Sequence, residues 1–209
     1  MLPVIVAFRR TGNHALARLL IDNLQLPTSD PEALCISHSQ VHDQPFVTVW
    51  RQVMPTMISL WKSRQLFGIH GKVSFFDMIT KPYGELPVAE CCNVTYDGKL
   101  HPAAPRRIKD IDAVTLPELW LRDTMRFTRH AKVAVAYTAI MEFPWKVINE
   151  IAYTFDLRVR EQMHLTTERV GWVAEEGEQP EINGKAMDLL NRFATRLLPT
   201  EFSLPVVVH

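Results

Sequence analysis

The 209-residue chain has no apolar run approaching the roughly twenty residues a bilayer-spanning helix needs, which excludes a helical membrane protein. It has no net charge, since 23 Lys and Arg stand against 23 Asp and Glu. No global basic field therefore draws it to nucleic acid or to an anionic membrane, and any anion binding has to be local. Cysteine is scarce. Cys35 and the neighbours Cys91 and Cys92 make an odd count without metal-type spacing, which argues against a disulfide framework and for a reducing, cytoplasmic setting. A secretory leader is not expected either, because the apolar stretch Met1 to Phe8 has no basic residues ahead of it and runs straight into Arg9-Arg10. Without export, the sequon Asn93-Val94-Thr95 carries no meaning.

What is present is the composition of a folded globular protein, with 47% hydrophobic and 22% charged residues. The length suits a single domain, 1–209, around one core. Val4 to Phe8 is a continuous apolar run of the kind found in strands buried on both faces of a parallel sheet. From Asn13, the residues Leu16, Leu19, Leu20 and Leu24 recur at helical spacing until Pro27. Strands are expected at Ala33 to Ser37 and Phe46 to Trp50, the latter leading into a helix with Pro55 near its first turn and Met57, Leu60 and Trp61 on one face.

Between Leu66 and Leu116 the periodicity fades and Pro and Gly punctuate the chain, so an irregular insertion is expected over about 66–116. A helix over about Pro117 to Arg129, a strand over Val133 to Tyr137 and a helix over Pro144 to Phe155 come next. Glu168 to Glu178 reads as a loop and Ile182 to Leu198 as a last amphipathic helix. Alternating strands and helices imply an α/β fold, three layers with a mostly parallel central sheet flanked by helices.

The segment Arg9-Arg10-Thr11-Gly12-Asn13-His14 lies where a buried strand feeds a helix. Such a turn presents backbone N–H groups and the positive end of the helix dipole to an anion. Gly12 allows close backbone approach, Thr11 and Asn13 offer hydrogen bonds, and Arg10 supplies a fixed charge. A tight turn carrying two solvated arginines is the other reading. The Walker spacing with its lysine is missing, which disfavours a magnesium-dependent ATPase.

The string Ala7-Phe8-Arg9-Arg10-Thr11-Gly12-Asn13-His14-Ala15-Leu16 resembles the 5′-phosphosulfate loop of sulfotransferases that use 3′-phosphoadenosine-5′-phosphosulfate (PAPS). The resemblance implies a P-loop-like fold and assigns Arg10, Thr11, Gly12, Asn13 and His14 to the 5′-phosphosulfate. A second family motif begins with Arg at a strand end and reaches a Ser eight positions on. Arg51 and Ser59 keep that spacing within Val49 to Trp61 and would hold the 3′-phosphate. A guanidinium fork and a helix hydroxyl suit a dianion.

In the family, a His just after the second strand deprotonates the acceptor. His38, in Cys35-Ile36-Ser37-His38, stands in that place, and an imidazole with an unperturbed pKa near 6.5 suits a general base. Tyr137 matches a tyrosine that borders the adenine, and Arg169 with Gly171 matches the segment that wraps the 3′-phosphate. Three positions depart from the pattern: Arg9 replaces Pro, Ala15 replaces Trp and Ile36 replaces Lys. Leaving-group assistance then falls to Arg10.

The implied activity is sulfuryl transfer from PAPS to a hydroxyl or amine of a small-molecule or glycan acceptor. Adenosine-3′,5′-bisphosphate is the by-product, and no metal, nucleic acid or membrane takes part. The acceptor pocket is expected in the insertion, walled by Phe67, Phe75, Phe76, Tyr83 and Tyr96, unless these form a satellite core. The acceptor side is open or is completed by a partner chain in a homo-oligomer. His38 and His42 with Asp43 would make a metal pair only on a helix, which Pro45 opposes. A nucleotide-binding protein without catalysis and a P-loop kinase-like phosphotransferase are the alternatives.

Overall fold

The computed structural model describes residues 3–8, 10–30, 33–37, 44–64, 69, 72–87, 95–96, 99–100, 113–162, 164, 179–196 and 206–208. It is a mixed α/β protein that divides into two compact units. The first comprises Met1–Arg51, Asp123–Val173 and Leu197–His209, and the second Gln52–Arg122 and Ala174–Arg196.

The first unit is built on strands β1 (Val4–Val6), β2 (Cys35–Ser37), β3 (Phe46–Trp50), β6 (Val133–Ala136) and β7 (Val206–Val208), in the order β2-β1-β3-β6-β7. The pairs β1/β2, β1/β3 and β3/β6 are parallel, whereas β6/β7 is antiparallel. The β3/β6 register sets Val47 opposite Val133 and Trp50 opposite Ala136.

Strand alternation sends side chains to both faces of the sheet. Ile5, Ala7, Val47, Val49, Val133 and Val135 join a core cluster with the apolar stripes of α1 (Asn13–Asn23) and α6 (Pro144–Thr154). Leu16, Leu20, Ile148 and Ile151, all fully buried, supply much of its volume. On the other face Val6 and Phe46 pack with Phe127 and Ala131, and Phe127 belongs to α4 (Leu116–His130). This two-sided burial is why β1 reads as an unbroken apolar run.

Helix α1 ends at Leu24, whose extended backbone turns the chain ahead of Pro27 and whose N–H still reaches the Leu20 carbonyl. Pro144 starts α6, where its fixed φ suits the first turn and its missing N–H costs nothing. The strand expected over Val133 to Tyr137 stops one residue early. Tyr137 opens a short helix, α5 (Tyr137–Glu142), directly after the extended Ala136. Strand β7 was not anticipated, since Val206-Val207-Val208 is too short to show a period.

The second unit holds α2 (Val53–Lys62), α3 (Phe75–Thr80) and α7 (Gly184–Arg196), with a 3₁₀ turn at Tyr83–Glu85 and an antiparallel pair β4 (Thr95–Tyr96) and β5 (Lys99–Leu100). Part of the stretch expected to be irregular is therefore ordered. Ser74 caps α3 by accepting the Asp77 N–H at 3.0 Å, a local signal that outweighs the helix's shortness. Phe75 and Tyr83 are buried at 2% and 7% exposure, so those two rings serve the core. Phe76 instead lines a groove of about 270 Å³ with Thr80, Lys185, Asp188, Leu189 and Arg192. Phe67 and the side chain of Tyr96 lie outside the description.

Candidate functional site

The strand order reverses at β1, since the chain places β2 on one side of it and β3 on the other. In open α/β sheets such a switch point opens a crevice outside the carboxyl ends of the strands, where ligands bind. The residues that leave these ends are Arg10 to Gly12 after β1 and Arg51 after β3. Tyr137 follows β6, the neighbour of β3.

The loop after β1 has an unusual backbone. Arg10 holds a φ of +64° and Gly12 a φ of +114°, both in the left-handed region. Arginine enters that region at a cost of about 1 kcal/mol or more, a form of strain that concentrates at binding and catalytic sites. Gly12 is also the N-cap of α1 and offers no side chain to the first N–H groups of the helix, so α1 starts without a side-chain cap.

The Thr11 hydroxyl donates to the Phe8 carbonyl at 2.6 Å and lies 3.1 Å from Asn13 Oδ1. Thr11 and Asn13 are both buried, at 0% and 4% exposure, so these side chains stiffen the loop from inside. Arg10, Gly12 and His14 are half-buried and form its accessible part.

Tyr137 links this loop to β3. A Cβ placed on Gly12 would lie 2.8 Å from Tyr137 Cε2 and closer still to Cδ2, so the ring rests directly on the glycine. The Arg51 guanidinium stacks on the same ring, with Cζ 4.5 Å from its centroid, a cation–π geometry. Gly12, Tyr137 and Arg51 thus form one continuous contact at the carboxyl ends of three adjacent parallel strands. The ring also packs on the core cluster beneath it.

The structure therefore brings together Arg10, Thr11, Gly12, Asn13 and His14 in one loop and joins Arg51 and Tyr137 to it. Ser59 lies half-buried on α2, in the second unit, where its carbonyl accepts the Ser63 hydroxyl at 2.6 Å. His38, Arg169 and Gly171 lie outside the described residues, as do Arg9, His42 and Asp43. No motif marks the contacts of Tyr137 with both Gly12 and Arg51, because two contacts of one ring leave no spacing to read.

The residue types gathered here, Arg10, Arg51 and a helix N-terminus without a side-chain cap, are ones that bind anions bearing phosphate or sulfate, while the Tyr137 ring occupies the space over Gly12. Among the described residues, no three His, Cys, Asp or Glu gather as a metal site would require, and no helix is long and apolar enough to cross a membrane. Comparison with protein-family models, curated proteins and solved structures finds no match to this chain.

Proposed function

We propose that the chain is a PAPS-dependent sulfotransferase of the three-layer, P-loop-like kind, whose phosphate-binding site lies at the carboxyl ends of β1, β3 and β6, beside Gly12, Tyr137 and Arg51. The observation that carries this reading is the contact of Tyr137 with both Gly12 and Arg51. It joins the two loops in which the sequence resembles that family, at the place where open α/β sheets bind ligands.

PAPS, when bound, supplies the sulfuryl group and a phosphate leaving group. His38 takes the proton of the acceptor hydroxyl or amine as that atom bonds to sulfur, and the electrons of the breaking S–O bond pass to the 5′-phosphate oxygen. Arg10 and the α1 N-terminus offset the charge that grows on this oxygen. Arg51 anchors the 3′-phosphate and so fixes the alignment for in-line attack. The acceptor is a small molecule or a glycan.

A second reading, a nucleotide-binding protein of the same architecture without catalysis, has one structural observation in its favour. The Thr11 hydroxyl is committed to the Phe8 carbonyl, which leaves the loop one donor fewer for a departing phosphate.

Thermal stabilisation by adenosine-3′,5′-bisphosphate, beside ADP and ATP–magnesium, tests the proposal in the wild type and in Arg51→Ala. A ligand held only by the folded state adds about 2.7 kcal/mol at one hundred times its Kd. Selective stabilisation by the bisphosphate, lost in Arg51→Ala, is expected. A preference for ATP–magnesium, or no response to the bisphosphate, overturns the reading. Binding without transfer to any acceptor favours the second reading, whereas transfer that His38→Ala abolishes favours the first.

A further inference from the structure

We infer that Tyr137 is a positioning residue for Arg51: its ring, braced against Gly12, sets the guanidinium beside the β1 loop before any anion arrives. This rests on reading these strand ends as an anion site, and it concerns how that site is held rather than which nucleotide fills it.

Three observations carry the inference. The edge of the ring formed by Cδ2 and Cε2 abuts Gly12 so closely that a methyl group would not fit between them. The Arg51 guanidinium lies 4.5 Å from the ring centroid. Tyr137 also begins α5 directly after Ala136, the last residue of a strand buried along its whole length. No loop intervenes between the buried strand and the residue that carries the ring.

Arginine has a long side chain with many rotamers, and ordering it at the moment of binding costs affinity. A stack removes that cost in advance. A guanidinium that lies flat on a ring keeps its N–H donors in its own plane, so a contact of this kind and in-plane hydrogen bonds to an anion are compatible. The task needs an aromatic face and leaves the hydroxyl without a part in it. Phenylalanine at this position should therefore serve, and an aliphatic side chain of similar bulk should not.

Inorganic pyrophosphate is the probe, because it has no base and so separates support of Arg51 from any contact between Tyr137 and a purine. Its Kd is measured calorimetrically for the wild type, Tyr137→Phe, Tyr137→Leu, Arg51→Ala and the double variant Arg51→Ala/Tyr137→Leu. In the ligand-free proteins, the NMR shift of the Arg51 Nε–H reports the ring current of the stack.

Tyr137→Phe should keep the shift and bind within twofold of the wild type. Tyr137→Leu should lose the shift and weaken pyrophosphate binding about three- to tenfold, the range a partly desolvated cation–π contact spans. Once Arg51 is gone, Tyr137→Leu should cost nothing more.

Wild-type affinity in Tyr137→Leu overturns the inference, and so do losses that simply add in the double variant. A wild type that does not bind pyrophosphate overturns both the inference and the anion site. Binding of pyrophosphate, weakened in Tyr137→Leu, by a protein that ignores adenosine-3′,5′-bisphosphate would remove the sulfotransferase reading and leave the positioning role standing.

Discussion

Gly12 and Tyr137, far apart in the sequence, meet so closely that no side chain fits between them: a Cβ on Gly12 would stand 2.8 Å from Tyr137 Cε2. The glycine is doubly constrained, because its φ of +114° is itself a conformation that other residues rarely adopt. Gly12→Ala should therefore destabilise the protein by about 2–3 kcal/mol, part from backbone strain and part from the collision. In a Tyr137→Ala background the same change should cost less, since only the backbone part remains. Urea unfolding of the four proteins in the cycle checks this, and equal costs in both backgrounds would separate the two residues.

Asn23 ties the end of α1 to a distant segment. Its Oδ1 accepts the His164 N–H at 2.7 Å, while its Nδ2 donates to the His164 and Leu19 carbonyls at 2.9 and 2.8 Å. The residue is fully buried at 0% exposure. Asn23→Ala should cost about 2–3 kcal/mol, because polar groups of its partners are left without their hydrogen bonds. The His164 amide should also exchange with deuterium faster. Unchanged exchange at His164 would show that the segment is held by something else.

Phe127 packs with Val6, Phe46 and Ala131 at 0% exposure, on the sheet face away from α1. Phe127→Ala should cost about 3–5 kcal/mol and Phe127→Leu clearly less. Denaturation midpoints at constant slope measure both. A cost below about 1 kcal/mol for the alanine variant would mean that the face closes over the lost ring.

The parallel core was legible because burial on two faces leaves an unmistakable trace. Val4 to Phe8 and Phe46 to Trp50 are near-continuous apolar runs, and β3 occupies the expected residues. Helices α1, α4 and α6 were legible from apolar residues at helical spacing, with ends within a few residues of those expected.

Short strands flanked by turn signals, such as β2, were legible, but short elements inside the irregular stretch and at the C-terminal end were not. Helix α3 has six residues, fewer than two turns, and rests on the Ser74 cap rather than on a period. Val133 to Tyr137 reads as one apolar run, which puts Tyr137 at a strand end, yet the turn into α5 falls just before it. At the candidate site the loop residues were recognisable one by one. Their joining through Tyr137 was not, since a stack on Arg51 and a contact with Gly12 depend on the positions of three strands at once.

The antiparallel strand β7 bears on how the chain reaches its native state. It pairs with β6 through Val206 to Val208 opposite Val135 to Val133, partners more than seventy positions apart. Pairing over such a distance closes a long loop and is slow relative to local contacts, so β6 spends the early stages of folding as an open edge. An open β6 edge and an unpaired Val206-Val207-Val208 are each able to recruit a strand from another molecule. Refolding yield should therefore fall as protein concentration rises, a kinetic vulnerability that ends when β7 docks.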